Sequence, residues 1–254
     1  MSRKSVRKTS LFSNLNTTGT IFSMGFDFTN ANQEAILSQL QAGGYSLLGY
    51  KGAVGPNQVT AGLPTWFAEP CAEMFGKVEI DYEPMYEVYV FNEATIAANT
   101  TIKMESLSIP LALGTAVTFE QDGSFTVTGS APAGTITVFN NRPASTSNVT
   151  IGLAALVNGA YAPFCAFTCT PQGSVSMEPI EDVCLFVANT GQVSGSVVGN
   201  ATAPGCTFEF NSSCISYELA FIAGTLGITN APGGLPVTET TSGANLSQLL
   251  NTPS

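Results

Sequence analysis

Four acidic residues lie close together in the segment KVEIDYEPMYEV, the densest group of side chains in the chain that could do chemistry. Glu79, Asp81 and Glu83 alternate with apolar residues, so a β-strand would present them on one face, and Glu87 follows four residues later. Carboxylates of this kind can serve as the acid and base of a glycoside hydrolase, or they can bind a hard cation such as Ca²⁺.

The spacing of these carboxylates argues against catalysis. Neighbours on one face of a strand are about 7 Å apart, whereas the retaining pair of a glycoside hydrolase is about 5 Å apart and normally comes from separate strands. The sequence also lacks the D-x-[DN]-x-[DN]-G loop of a calcium site. We therefore expect an acidic face that is open to solvent, with cation binding as the alternative.

Other catalytic chemistry finds no support in the sequence. The chain has no histidine, which removes the usual general base of serine, cysteine and threonine nucleophiles. It has no Walker loop, no dinucleotide-binding fingerprint and no G-x-S-x-G nucleophile motif. None of the 6 cysteines forms a C-x-x-C pair, and without histidine a Cys/His zinc site is excluded. We predict a protein that is not an enzyme and that needs neither cofactor nor metal.

The opening segment MSRKSVRKTS concentrates positive charge. Arg3, Lys4, Arg7 and Lys8 make up half of the 8 basic residues, and the rest of the chain is left near −14 by its 18 acidic residues. We interpret residues 1–19 as a basic arm that is complementary to the acidic face, either of its own subunit or of a neighbour. The arm is the one place where we expect nucleic acid or anionic lipid to bind. A solubilising tail is the simpler alternative.

An alternating apolar segment, TIFSMGFDF, follows the arm and predicts a β-strand over residues 20–28. One face of this strand carries Phe22, Met24, Phe26 and Phe28. A strand joined to a flexible arm can add to the sheet of a neighbouring subunit, where these four side chains would fill alternate pockets. The alternative is that the strand pairs within its own domain.

Two further groups of residues have alternative interpretations. Cys206 and Cys214 flank TFEFNSS, which resembles a hairpin turn, so a cross-strand disulfide is feasible; buried free thiols are the interpretation that we favour. An aromatic group would meet a membrane interface if the protein were a pore-forming toxin, or stack on sugars if it bound carbohydrate. The simpler alternative places this group in the core; it consists of Tyr45, Tyr50, Trp66 and Phe67.

The elements that must position these residues are almost wholly β. The segment NANQEAILSQLQAGG predicts one short helix, capped by Asn30 and ended by Gly43 and Gly44. From residue 77 onward, short strands recur about every 8–12 residues, which is typical of a sandwich or jelly roll. Asp122-Gly123 is the strongest hairpin signal, and Asn158-Gly159 and Gln172-Gly173 predict further turns.

We therefore predict an all-β protein, an antiparallel β-sandwich or jelly roll built from two packed sheets or from two half-domains that meet near residue 130. The predicted division is a basic arm (1–19), a strand, helix and loop region (20–76), a sandwich core (77–230) and a C-terminal tail (231–254).

Charged residues make up 10% of the chain, against about 25% in ordinary soluble domains, and a surface with so little charge tolerates close packing against other proteins. We expect a non-catalytic structural subunit of a shell, filament or surface assembly, with the pore-forming toxin and the carbohydrate-binding protein as alternatives. The sequence shows neither a signal-peptide pattern nor a transmembrane stretch. We therefore expect synthesis in the cytoplasm, and release or display outside the cell as part of an assembly is compatible with this expectation.

Overall fold

Strands are the main regular structure of the described chain because alternating apolar and β-branched residues fit a pleated surface with one buried face. The computed structural model describes residues 19–251. It confirms the all-β prediction: two main sheets, each of 8 strands, pack together as a sandwich with two short α-helices at its margin.

The described chain has eighteen strands, two α-helices and one 3-10 helical turn (Cys71–Glu73). In chain order the strands are β1 (Phe22–Asp27), β2 (Ser46–Val54), β3 (Leu63–Pro64), β4 (Phe67–Pro70), β5 (Lys77–Phe91), β6 (Ser106–Leu107), β7 (Thr115–Phe119), β8 (Phe125–Ser130), β9 (Ile136–Asn140), β10 (Val149–Val157), β11 (Ala160–Pro163), β12 (Phe167–Cys169), β13 (Ser174–Ala188), β14 (Val197–Val198), β15 (Gly205–Glu209), β16 (Ser216–Phe221), β17 (Ile228–Asn230) and β18 (Thr238–Thr240). The helices are α1 (Ala31–Ala42) and α2 (Leu246–Leu250).

The first sheet has the strand order β11-β10-β5-β1-β16-β17, with β12 added to β10 and β6 added to β5. Strand β1 lies in the middle of this sheet, antiparallel to β5 and parallel to β16. This parallel pair is the exception in a sheet whose other pairings are antiparallel, as predicted.

The second sheet has the order β18-β15-β13-β9-β7-β8, and β2 pairs with both β13 and β4. Its long strand β13 has 15 residues, of which the first part pairs with β9 and the rest with β2 and β15. The pairing of β7 with β9 is also parallel. Strands β3 and β14 form a separate two-stranded sheet.

The core between the sheets is rich in aromatic rings. The Trp66 ring meets Tyr82 edge-on at 4.9 Å between centroids, and Phe22 stacks on Phe210 at 4.7 Å. Each such pair adds about 0.5–1.5 kcal/mol beyond the free energy of burying its area. These rings come from both sheets and from the loop that precedes β4, so the cluster fixes how the two sheets sit against each other.

Helix α1 begins and ends where the sequence predicts. Asn30 caps it by accepting a hydrogen bond from the backbone N–H of Gln33 at 3.0 Å, and Gly43 follows its last residue. The side chain of Gln33 also exchanges two hydrogen bonds with the backbone of Phe221 on β16, each 2.9 Å long. The apolar stripe of the helix, which consists of Ile36, Leu37 and Leu40, is buried. No helix within residues 19–251 is long and apolar enough to cross a membrane.

The hairpin predicted at Asp122-Gly123 is confirmed. Phe119 at the end of β7 pairs with Phe125 at the start of β8, and Gly123 has the positive φ of 88° that such a turn needs. Asn158-Gly159 likewise joins β10 to β11 with positive φ at both residues.

The predicted division of the chain differs from the structure at both ends. Strands β1 and β2, from the 20–76 region, lie inside the two main sheets, so the sandwich does not begin at residue 77. The region predicted as a C-terminal tail supplies β18, which pairs with β15, and α2, whose Leu246 and Leu250 are fully buried. Main-chain pairing and these two leucines hold the C-terminal segment against the body.

Candidate functional site

The acidic face predicted from the sequence exists on the outer side of the first sheet. Even-numbered residues of β5, such as Ile80 and Tyr82, point into the core, and the carboxylates of Glu79, Asp81 and Glu83 therefore point outward. Two extra residues of β5 interrupt its pairing with β10 after Glu83. An insertion of two residues leaves the inward–outward alternation of the strand in step, so Glu87 lies on the same outer side as Glu83.

Neighbouring strands extend the acidic face. Gly25 of β1 pairs with Glu79 on one side and with Glu218 of β16 on the other. Because Gly25 has no side chain, the Glu218 carboxylate lies across it, 2.8 Å from the position that a Cβ would take. We call the set of Glu79, Asp81, Glu83, Glu87 and Glu218 the acidic face.

Burial, and for one of them a neighbouring charge, raises the pKa of two carboxyls of this face. Burial and, after it, the neighbouring Glu79 carboxylate raise the pKa of Asp81 above its ordinary value. Burial also raises the pKa of Glu87. Both shifts mean that the fold makes the charged form of these carboxyls less favourable, which a cation bound against the face would reverse.

No ion pair within residues 19–251 joins a cation to a carboxylate of the acidic face, although Lys77 precedes Glu79 on the same side of β5. Within residues 19–251 the two ion pairs are Lys51–Glu181 and Lys77–Asp27, the second at 3.3 Å between two solvent-exposed side chains. Arg142 instead donates a hydrogen bond to Asn92 at 3.3 Å. Lys103 is the one other basic residue within residues 19–251. The remaining four are those of the arm, Arg3, Lys4, Arg7 and Lys8, and they lie outside the described residues.

The four apolar residues predicted for a contact between subunits lie in the core of their own chain. Strand β1 is hydrogen-bonded on both edges, to β5 and to β16, and its inward face is covered by the second sheet. The exposed fraction of these side chains does not exceed 7%; they are Phe22, Met24, Phe26 and Phe28. They therefore stabilise the sandwich. Of the two interpretations of this strand, the structure shows the one in which the strand pairs within its own domain.

The aromatic group proposed for membrane or ligand contact is also mostly internal. Trp66 and Tyr50 are fully buried, and Phe67 is 4% exposed. The Tyr50 hydroxyl accepts a hydrogen bond from Thr65 at 3.0 Å inside the protein. Tyr45 alone is half-buried. In this conformation these residues cannot form a surface platform, because their rings are covered by the chain itself.

The disulfide that the sequence made feasible between Cys206 and Cys214 is not formed, and all six cysteines are free. A tight turn bridges Asn211 to Cys214, but it does not pair β15 with β16: β15 ends at Glu209 in the second sheet, and β16 begins at Ser216 in the first. The chain thus crosses from one sheet to the other between the two cysteines, and they are not cross-strand neighbours. The favoured alternative, buried free thiols, holds for five of the six, while Cys214 is half-buried.

A buried ionic network that the sequence analysis missed lies between the two sheets. Lys51 of β2 is fully buried, and its Nζ donates hydrogen bonds to Glu181 Oε2 at 2.7 Å and to the Ile180 carbonyl oxygen at 2.6 Å. Glu181 Oε1 accepts hydrogen bonds from the hydroxyls of Tyr86 at 2.7 Å and Tyr82 at 3.2 Å. The two hydroxyls are themselves 2.8 Å apart.

An irregularity in β13 places Glu181 in this network. Pro179 pairs with Ala53 and Val183 pairs with Lys51, so three residues of β13 stand opposite the single residue Gly52. This bulge turns Glu181 toward the lysine that lies beside it on β2. The Lys51 Nζ also lies 4.9 Å from the centroid of the Tyr82 ring, a cation–π contact that helps to replace the water it has lost.

Burial and charge act in opposite directions on this network. Burial lowers the pKa of Lys51 below its ordinary value, although the Glu181 carboxylate opposes that effect. For Glu181, burial raises the pKa, but the Lys51 ammonium and the donated hydrogen bonds outweigh it and hold the pKa below its ordinary value. Burial also raises the pKa of the two tyrosines, so both hydroxyls keep their protons and remain donors.

One sequence signal could have indicated this lysine. Lys51 is the single charged residue in the apolar strand SLLGYKGAV, where every other residue is apolar or small. A charge within such a strand requires a buried partner. The partner itself could not be identified, because the bulge that turns Glu181 inward has no clear sequence signature.

Within the described residues no group of three or more His, Cys, Asp or Glu side chains is arranged to hold a metal ion. Comparison with known proteins adds no functional assignment: the chain matches no protein-family model, no curated protein and no solved structure.

Proposed function

We propose that the protein is a non-catalytic structural subunit that self-associates, and that the basic arm of one copy docks on the acidic face of another. The observation that carries this proposal is the charge distribution. Five carboxylates share one sheet face, no ion pair within residues 19–251 involves any of them, and half of the protein's basic residues lie in the arm.

The position of the arm in the chain supports the pairing. Residue 22 stands opposite Tyr82, so the described chain enters the first sheet between Asp81 and Glu83. An extended chain advances about 3.3 Å per residue, so the stretch from Lys8 to Phe22 can span at most about 46 Å. That reach includes the acidic face of the same copy and would allow the arm to cross to that of a copy packed beside it.

The arm contact is expected to be weak by itself and effective when repeated. Exposed ion pairs contribute about 0.2–1 kcal/mol each, so four of them give at most about 4 kcal/mol. That free energy corresponds to a dissociation constant of about 1 mM. Repetition across an assembly raises the effective concentration and converts weak contacts into stable association.

A free sheet edge supports association independently of charge. Strand β8 pairs only with β7, and five of its six residues are exposed. It carries no charged residue and no proline, the features that usually protect an edge strand, although a bulge interrupts its pairing near Gly129. Such an edge can accept a strand from a second molecule.

Light scattering of the full chain at low and high salt tests the proposal. We expect an assembly that dissociates as salt rises, because exposed pairs are screened beyond about 8–10 Å. Deleting residues 1–19 should give a smaller species, and so should the triple variant Glu79→Gln, Asp81→Asn, Glu218→Gln. The matched control is Glu34→Gln, Glu73→Gln, Glu93→Gln, which removes the same charge from exposed positions elsewhere and should leave the assembly intact.

A peptide of residues 1–19, titrated into the body that lacks them, identifies what the arm binds. Weak, salt-sensitive binding that the triple variant abolishes supports docking on the acidic face. A full chain that is monomeric at every salt concentration refutes the proposal. Nucleic acid or anionic vesicles would then be the partners to test for the arm. Dye release from vesicles by the full chain would support the pore-forming alternative instead.

A further inference from the structure

The Lys51–Glu181 pair has features that an ordinary surface ion pair lacks. Its ammonium is fully buried, the two groups belong to adjacent strands of one sheet, and the Nζ–Oε2 distance is 2.7 Å. Two hydroxyls from the opposite sheet, of Tyr82 and Tyr86, both donate to the other carboxylate oxygen. The site thus holds an amine, a carboxyl group and two hydrogen-bond donors in fixed positions.

We propose that Lys51 and Glu181 condense to form an intramolecular isopeptide bond that covalently joins β2 to β13. The bond links Nζ of Lys51 to Cδ of Glu181 and releases one water molecule. The inference concerns the folded chain itself and does not depend on the proposed assembly.

The reaction balances without an oxidant or a co-reactant. A proton first moves from Nζ to Oε2 along their hydrogen bond, which converts the ion pair into a neutral amine and a neutral acid. The nitrogen lone pair then attacks Cδ, and the electrons of the C=O bond move to Oε1. The tetrahedral intermediate collapses when a second proton passes from nitrogen to Oε2, which leaves as water. The sum is an ammonium and a carboxylate giving an amide and water.

The surrounding residues act on each step. Burial lowers the pKa of Lys51 and so helps its ammonium to lose a proton, whereas the ammonium and the donated hydrogen bonds lower the pKa of Glu181 and oppose its protonation in the first step. The hydroxyls of Tyr86 and Tyr82 point at Oε1, the atom on which negative charge develops, and act there as an oxyanion hole would. The two strands hold the reactants in contact, which replaces a bimolecular encounter by an intramolecular one.

The product is also better suited to the site than the reactants are. A neutral amide carries a smaller desolvation penalty than a buried ion pair. Its carbonyl oxygen would keep the hydrogen bonds from the two tyrosines, and its N–H could keep the bond to the Ile180 carbonyl oxygen, which Lys51 now makes at 2.6 Å. The Glu181 side chain is 28% exposed, so the water that is released has a path to solvent.

The mass of the intact full chain, measured under denaturing conditions after purification and incubation at neutral pH, tests the proposal directly. We expect a mass lower than that of the unmodified sequence by one water. Trypsin should fail to cut after Lys51, because an acylated lysine is not a substrate. A mass equal to that of the unmodified sequence overturns the proposal and leaves the pair as a buried ion pair.

Two comparisons locate the lost water. Succinimide formation at Asp122-Gly123 would remove the same mass, but trypsin would then still cut after Lys51, and that result also overturns the proposal. The variant Lys51→Met should show the full unmodified mass for its own sequence. Tyr86→Phe keeps both reacting groups and removes one donor to Oε1, so we expect the fraction of cross-linked chain to fall at early times. An unchanged rate in Tyr86→Phe would refute the role of that hydroxyl.

Discussion

Replacing Gly52 by alanine tests how the C-terminal segment is attached to the sandwich. Gly52 lies on β2, opposite the bulge of β13, and the end of α2 packs directly on it. A Cβ at this position would overlap the main-chain carbonyl oxygen of Leu250. The backbone of Gly52 does not have positive φ, so alanine causes no conformational strain of its own. Any cost therefore comes from the contact with α2.

The size of the effect is bounded by two ways of relieving the overlap. If the sheet and α2 shift slightly, the cost is that of overpacking, about 1–3 kcal/mol. If α2 detaches, Leu246 and Leu250 become exposed, at about 1.5–3 kcal/mol each. The hydrogen bond from the Ala53 N–H to Asn251 Oδ1, now 3.1 Å long, is then also lost. We expect a loss of about 3 kcal/mol in the free energy of unfolding.

Urea denaturation of three proteins measures this cost and its origin. The first is Gly52→Ala in the full chain. The second is Gly25→Ala, where the obstructing atoms are the mobile carboxylate of Glu218, and we expect a change below about 1 kcal/mol. The third is Gly52→Ala in a chain that lacks residues 245–254, where the cost should disappear.

Two results would refute this reasoning: a cost below about 1 kcal/mol in the full chain, or the same cost with and without α2. Should the shortened chain fail to fold, hydrogen exchange of the α2 amides in full-length Gly52→Ala replaces it. We expect faster exchange than in the parent chain, because the substitution loosens the helix. Unchanged exchange would count against the contact.

Two further predictions concern the acidic face and the core. Asp81→Asn should stabilise the protein at neutral pH by about 0.2–1 kcal/mol, since partial burial and, after it, repulsion from the Glu79 carboxylate both disfavour the charge of Asp81. The fold raises the pKa of Asp81, so the cost of its charge disappears as the pH falls below 3.8, the ordinary pKa of this carboxyl. Thermal unfolding at neutral pH and at a pH below 3.8 should therefore show the gain only at neutral pH. Glu93→Gln is the control. Trp66→Ala should cost about 3–5 kcal/mol in urea denaturation, because it removes a fully buried ring. A Trp66→Ala variant with unchanged stability would contradict the core assignment of this residue.

Local patterns predicted the parts of this fold that local interactions determine. The alternation of Phe22, Met24 and Phe26 identified β1, and Asn30 with Gln33 identified the start of α1. The turn at Asp122-Gly123 joins the strands that it was expected to join. In each case the residues that carry the signal are within a few positions of the structure that they specify.

Features that depend on distant parts of the chain were not predictable in this way. TFEFNSS has the composition of a hairpin, but its strands pair with β13 and β1, which lie far away in sequence. The segment after residue 231 is rich in glycine, proline and threonine, which suggested a flexible tail. Two buried leucines and the pairing of β18 with β15 nevertheless hold it in place. In both places tertiary contacts outweigh local preference.

The same limit explains why the acidic face was found and the buried network was not. A strand exposes every second residue, so the common outward direction of Glu79, Asp81 and Glu83 follows from sequence spacing alone. Glu218 joins them only because β16 pairs with β1 in parallel across Gly25, a pairing that no spacing reveals. The network of Lys51 depends on still more contacts between distant segments. Its four members come from three strands, and the position of Glu181 depends on a bulge in β13. In a chain with 8 basic residues, a lysine placed inside an apolar strand is the strongest signal of such a site that sequence alone can give. Finding its partner requires the fold.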